Sequence, residues 1–250
     1  MRQWTLRTAW HVAASLVLAA CATQTGQDSP SNTATSASTS TVVLTTVAEV
    51  VRSDFPADGP VEPGTYHIPP SAWSVAGLTM SLPAGWETQY GSPGAIKHSD
   101  QPGELGFYFV FPDSIFADPC VGTAADPWEL MEVGPGVDDL VNALLEQPHT
   151  VATGPVDTTL GGLPAKRIDL TMADDPETAT CNVNLPGHLQ IWYSQSADKY
   201  FVLLGDATAS VYILDVNGDR QVLLTQYRAA ASTEDLGEMQ TILDSITIDT

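Results

Sequence analysis

Near the C-terminus, DVNGDRQVLLTQ (Asp215 to Gln226) carries the one spacing in the chain that could hold a cation. Asp215, Asn217 and Asp219 stand at positions 1, 3 and 5 of a calcium loop. Position 6, which needs glycine, is Arg220, and position 12, which needs a bidentate glutamate, is Gln226. Asn217-Gly218 between two apolar runs is instead the strongest short signal for a β-hairpin, and the hairpin is the favoured reading. His67, His98, His149 and His188 have no sequence neighbour at ligand spacing, so each reads as a surface or turn residue. Ser92 lies in YGSPGA, which is turn chemistry and lacks the G-x-S-x-G elbow of a serine nucleophile. The pairs Asp138-Asp139 and Asp174-Asp175 reflect a chain rich in acids, and one of the first pair is expected to cap the helix that follows. Phe107, Tyr108, Phe109 and Phe111 could line an apolar pocket. Sheet core is favoured, because Phe107, Phe109 and Phe111 fall on one face of a strand. Trp73, in PPSAWS, belongs to no regular element and is the candidate contact anchor. No catalytic residue, resident metal or cofactor is expected.

Cysteine chemistry is more informative. Of three cysteines, Cys21 follows MRQWTLRTAWHVAASLVLAA. That stretch has Arg2 and Arg7, no acid, and an apolar run from Thr8 to Ala20, the pattern of a secretory signal. The run is shorter than the ~20 residues a permanent membrane helix needs. Leu18-Ala19-Ala20-Cys21 resembles the bacterial lipoprotein box. On that reading Cys21 is acylated, cleavage follows Ala20, and residues 1–20 are a signal peptide. The other reading is an ordinary secretory signal with a cysteine beside it. Residues 22–41 are Ser/Thr-rich and almost uncharged, with too little apolar content to offset the entropy of ordering, which suits a flexible tether. Residues 21–61 are therefore assigned to the lipidated cysteine and tether, although 42–61 could contain a short helix or strand. Cys120 and Cys181 remain. In an exported domain they are expected to pair as a structural disulfide.

Removing residues 1–20 leaves seven basic residues against thirty acidic ones and takes the net charge from −21 to −23. Such a balance argues against nucleic acid, whose binding requires Lys and Arg to neutralise phosphate. It argues equally against a domain lying flat on an anionic bilayer.

The elements expected to position these residues are mostly strands. LTMSL (78–82), LGFYFVF (105–111), VDTTL (156–160), AKRIDLTM (165–172), LQIWYS (189–194), YFVLL (200–204), SVYILDV (210–216) and QVLLTQY (221–227) all read as β. Gly161-Gly162 predicts a hairpin between the third and fourth of these. Several lack polar alternation, so a central sheet covered on both faces is expected. Helices are predicted over DPWELMEV (126–133), DDLVNALLEQ (138–147) and TEDLGEMQTILDSI (233–246). The expected fold class is α+β: one domain over residues 62–250, a mostly antiparallel sheet with helices packed on its faces.

GLTMSLPAGWE, a following helix, TTLGGLPAKRIDL and the closing ILDSI resemble the PsbP-like superfamily, with Trp86 at its core tryptophan. With PGTY, DPC and LDVNG added, the chain resembles uncharacterised exported proteins of actinobacteria. The resemblance spans residues 62–250 and rests on turn and core motifs. It implies binding of a macromolecular partner and transfers no catalytic residue. The functional expectation is a non-catalytic lipoprotein on the outer face of the cytoplasmic membrane. Its contacts would be the bilayer through acylated Cys21 and an unknown protein or envelope component, with no nucleic acid. The alternative is a carrier of a small apolar ligand in a cavity beside the central sheet, between the Phe107–Phe111 strand and the helices. An enzyme with a dispersed acidic site would need carboxylates and a histidine in one cleft, which no spacing suggests.

Overall fold

Two long strands that are apolar on both faces organise the molecule. β14 (Ala207–Val216) and β15 (Asp219–Arg228) pair in antiparallel register from Ala207↔Arg228 to Val216↔Asp219. Along β14, Tyr212, Leu214 and Val216 enter one hydrophobic cluster, whereas Ala209, Val211 and Ile213 enter a second on the opposite face. The period-two division follows from side chains alternating across a strand. The computed structural model describes residues 51–250 apart from 53, 90, 121–128, 175–177, 179–180 and 182–186. These residues belong to one unit, Val47–Thr250.

The central sheet has eight strands in the order β10-β11-β14-β15-β7-β6-β5-β2. Its other members are β10 (Thr150–Leu160), β11 (Leu163–Met172), β7 (Leu105–Val110), β6 (Gly94–Lys97), β5 (Glu87–Thr88) and β2 (Gly59–Pro60). One face meets a four-stranded sheet, β1-β3-β4-β16, and helix α2 (Thr233–Ser245). That sheet is built from β1 (Val51–Arg52), β3 (Gly64–Ile68), β4 (Leu78–Leu82) and β16 (Thr247–Ile248). The other face meets a second four-stranded sheet, β13-β12-β8-β9, and helix α1 (Val137–Leu145). Its strands are β13 (Lys199–Leu204), β12 (His188–Ser194), β8 (Ser114–Phe116) and β9 (Leu130–Glu132). β1 and β3 run parallel, and the other pairings described are antiparallel.

This architecture overturns the expected α+β class. Both faces of the central sheet are covered as the apolar strands required, but the covering layers are largely β, with one helix on each side. Among the described residues the fold is mostly β, in three sheets. Two details explain the error. The helix expected over 126–133 begins outside the described residues, and within its described part, 129–133, Leu130–Glu132 is strand β9. There the ladder Ser114↔Glu132, Ile115↔Met131 and Phe116↔Leu130, which local pattern does not encode, prevails over helix propensity. In addition, Val51–Arg52 and Gly59–Pro60, assigned to the tether, are short strands that extend two of the sheets.

The two turn signals behave as their chemistry demands. Gly161 and Gly162 have φ of 59° and 84°, and Asn217 and Gly218 have φ of 59° and 98°, the left-handed pair that a tight hairpin needs. α2 opens on Ser232, whose Oγ accepts from the Asp235 N–H at 3.1 Å. α1 opens on Gly136, not on an acid. Asp139 lies three residues in, and its carboxylate accepts from the Gly136 N–H at 2.9 Å. At the margin of the central sheet, β10 exposes Val151 and Val156, and its register to β11 shifts between Thr153 and Val156.

Candidate functional site

Three potential donor atoms converge where the central sheet meets the β13-β12-β8-β9 sheet. Strand β8 leads out to Asp118 and Cys120, while the turn from α1 into β10 carries His149. The Asp118 Oδ1 accepts from the Cys120 N–H at 2.8 Å and lies 3.6 Å from His149 Nε2. The donor atoms of Asp118, Cys120 and His149 all lie within 4.8 Å of one another. Cys120 is joined to Cys181 by a disulfide, with a Cα–Cα distance of 4.5 Å, and Cys181 is buried in the cluster beneath.

Gln147 locks this arrangement. Its Nε2 donates to the carbonyls of Phe116 in β8 (3.0 Å) and Ile191 in β12 (2.7 Å). The turn bearing His149 is thereby tied to the strands that deliver Asp118. Thr150 Oγ1 donates back to the Gln147 carbonyl at 2.9 Å, and the His149 carbonyl accepts from Ala173 N–H at 2.9 Å. His149 itself has φ of 62°, a left-handed conformation uncommon outside glycine. Its side chain is 15% exposed and that of Asp118 43%, so the cluster is reachable from solvent.

Two clefts flank α2 on the opposite face. One, of ≈ 320 Å³, has Leu82, Pro83 and Ile242 as apolar walls, with Ser81, Thr241 and Ser245 contributing hydroxyls. The other, of ≈ 250 Å³, is lined by Thr158, Thr159, Arg167, Tyr212, Gln240 and Asp244 among others. Within the second, Arg167 makes a bidentate pair with Asp169, Nε–Oδ1 at 2.9 Å and Nη2–Oδ2 at 2.7 Å. Burial pushes the Asp169 carboxyl up, but the hydrogen bonds from Arg167 and Ser210 outweigh it and hold the group below its ordinary range.

At the start of α2, Lys97 Nζ lies 2.7 Å from Asp235 Oδ1 and 3.1 Å from Glu238 Oε1. Trp86 Nε1 also donates to Glu238. The hydrogen bond from Lys97, then that from Ser232, lowers Asp235 to about 2. Burial opposes the Lys97 charge, yet its two carboxylate partners together raise its pKa. On the other side of the sheet, Arg220 is buried and donates to the carbonyls of Gly134, Gly136 and Pro112. Burial lowers its pKa, with Asp139 and Asp113 acting in the opposite direction. Each of these ionic groups fastens one piece of chain to another.

The residues singled out by sequence are scattered. Cys21 lies outside the described residues, as do Asp126 and Asp175. Phe107 and Phe109 are fully buried in the cluster beneath α2, and neither lines either cleft. Trp73 is half-buried and packs against the opposite cluster. Asp215 and Asn217 belong to the hairpin turn, where Asp215 Oδ1 accepts from the Gly218 N–H at 2.9 Å. Asp219 opens β15. His67 lies 3.1 Å from Asp249, His98 lies 3.3 Å from Asp235, and His188 begins β12. Ser92 is buried and donates to the Phe109 carbonyl at 3.3 Å. The Asp118–His149 pairing was not legible in sequence, because its members are 31 residues apart and meet through the Gln147 clamp.

No family model matches the chain, the PsbP-like pattern included, and no curated protein matches it. Among solved structures, it is similar to LpqN of Mycobacterium tuberculosis, described as involved in cell envelope biogenesis. That similarity is 12% in sequence identity, with a TM-score of 0.35, over 77% of this chain and 91% of LpqN. A score at that level is below what a shared fold requires.

Proposed function

We propose that the chain is an extracytoplasmic lipoprotein, held at the outer face of the cytoplasmic membrane through acylated Cys21. Its folded domain binds a protein or envelope component and does not catalyse a reaction. The observation that carries this reading is the Cys120–Cys181 disulfide in a chain whose third cysteine ends Leu18-Ala19-Ala20-Cys21. Disulfides persist in oxidising compartments outside the cytosol.

The carrier reading draws no support from the Phe107–Phe109 strand, since both rings are packed out of reach.

Membrane fractionation and mass spectrometry of the native chain test the anchor. Cleavage after Ala20, acyl chains on Cys21 and loss of membrane retention in Cys21→Ser are expected. Crosslinking on intact cells should then give a partner adduct that Cys21→Ser diminishes. An unprocessed, lipid-free cytosolic chain with reduced Cys120 and Cys181 would overturn the reading.

A further inference from the structure

We infer that Asp118, Cys120 and His149 form a divalent metal site, of a donor set that suits zinc, that the Cys120–Cys181 disulfide closes and reduction opens. The donor set is one carboxylate oxygen, one imidazole nitrogen and one sulfur, which suits a borderline-soft ion such as Zn²⁺. Tetrahedral zinc, with bonds of ~2.0–2.1 Å to nitrogen and oxygen, sets those two donors roughly 3.3–3.5 Å apart. The separation of His149 Nε2 and Asp118 Oδ1, 3.6 Å, is within a few tenths of an ångström of that. All three donor atoms fall within 4.8 Å of each other. Cys181, its Cα 4.5 Å from that of Cys120, is placed to supply a fourth ligand.

The scaffold supports a metal site. Gln147 fixes the turn carrying His149 to β8 and β12, so the segments that bear the imidazole and the carboxylate are held together before any ion arrives.

The disulfide is the gate. A disulfide sulfur carries no thiolate charge, so of the three donors described the oxidised site keeps Asp118 and His149. A dithiol reductant delivers two electrons and two protons: the Cys120–Cys181 bond breaks, two S–H bonds form, and the reductant becomes a disulfide. Zinc then replaces the thiol protons, which leave to solvent as Zn–S bonds form. The inference concerns solution chemistry of the domain and does not depend on the membrane anchor, so either can fail alone.

Cobalt(II) is the optical probe, added to the full chain. Oxidised wild type should give no thiolate-to-cobalt charge-transfer band. After reduction by a phosphine, which is converted to its oxide with oxygen from water, wild type should give that band, saturating at one cobalt per chain. Zinc should abolish it. Unreduced Cys181→Ser, which leaves Cys120 as a thiol, should bind cobalt without reductant. His149→Ala and Asp118→Asn should each weaken binding by at least about tenfold, and Cys120→Ser should remove the band. Circular dichroism checks the fold of each variant, and reduced wild type carries the test if Cys181→Ser does not fold. No band in reduced wild type would overturn the inference. So would saturation at half a cobalt per chain, or affinity unchanged by both His149→Ala and Asp118→Asn.

Discussion

Gln147 donates from Nε2 to the Ile191 carbonyl at 2.7 Å, joining the α1–β10 turn to the middle of strand β12. The same nitrogen reaches the Phe116 carbonyl in β8. Gln147→Leu keeps the volume and removes both donations. The expected cost is about 2–4 kcal/mol, a fall in melting temperature of roughly 5–15 °C for a domain of this size. Thermal unfolding followed by circular dichroism measures it. An unchanged melting temperature would show that the clamp is dispensable.

The disulfide closes a loop with a sequence separation of 61. Chain-entropy arithmetic assigns about 4 kcal/mol to such a closure. Reduction in a metal-free buffer should therefore lower the melting temperature by roughly 10 °C, and the double variant Cys120→Ser/Cys181→Ser should behave alike. A reduced protein as stable as the oxidised one would mean that the crosslink contributes no stability.

Acid should loosen the start of α2. Asp235 titrates near 2 when folded, against an ordinary value of 3.8. A depressed carboxylate stabilises the fold above its unfolded pKa, and that contribution is lost as pH falls through the folded value. After allowance for solvent screening, the contribution is about 1 kcal/mol. Stability measured by urea unfolding should thus drop between pH 4 and pH 2, and Asp235→Asn should flatten part of that slope. An identical slope in wild type and Asp235→Asn would remove Asp235 from the account.

The Asp215–Asp219 segment should ignore calcium. Asp215 Oδ1 already accepts from the Gly218 N–H, and Gly218 has φ of 98°. Millimolar calcium should leave the melting temperature unchanged in wild type and in Asp215→Asn alike. Gly218→Val, forced into a conformation that β-branched residues resist, should cost about 1–2 kcal/mol. A calcium-dependent rise in melting temperature would restore the loop reading.

Much of the strand content was legible because it rests on local rules. LTMSL became β4 with the same limits, and Gly161-Gly162 and Asn217-Gly218 turned as their left-handed preference requires. The apolar runs in β14 and β15 correctly implied a sheet covered on both faces. What covers it was not legible. Leu130–Glu132 is a strand through its pairing with β8, and Val51–Arg52 through its pairing with β3, and neither pairing leaves a periodic mark. The Asp118–His149 juxtaposition was hidden for the same reason. It depends on a glutamine whose two carbonyl partners, Phe116 and Ile191, lie far from it in sequence. Cysteine pairing was easier, because exclusion of Cys21 left a single combination.

β10 is the outermost strand of the central sheet, and its ladder slips between Thr153 and Val156, around a proline that has no N–H to offer. An unbroken margin of eleven residues would invite lateral zippering between copies. The slip breaks the margin into two shorter ladders, and an interrupted edge is a poorer template for a second copy than a continuous one.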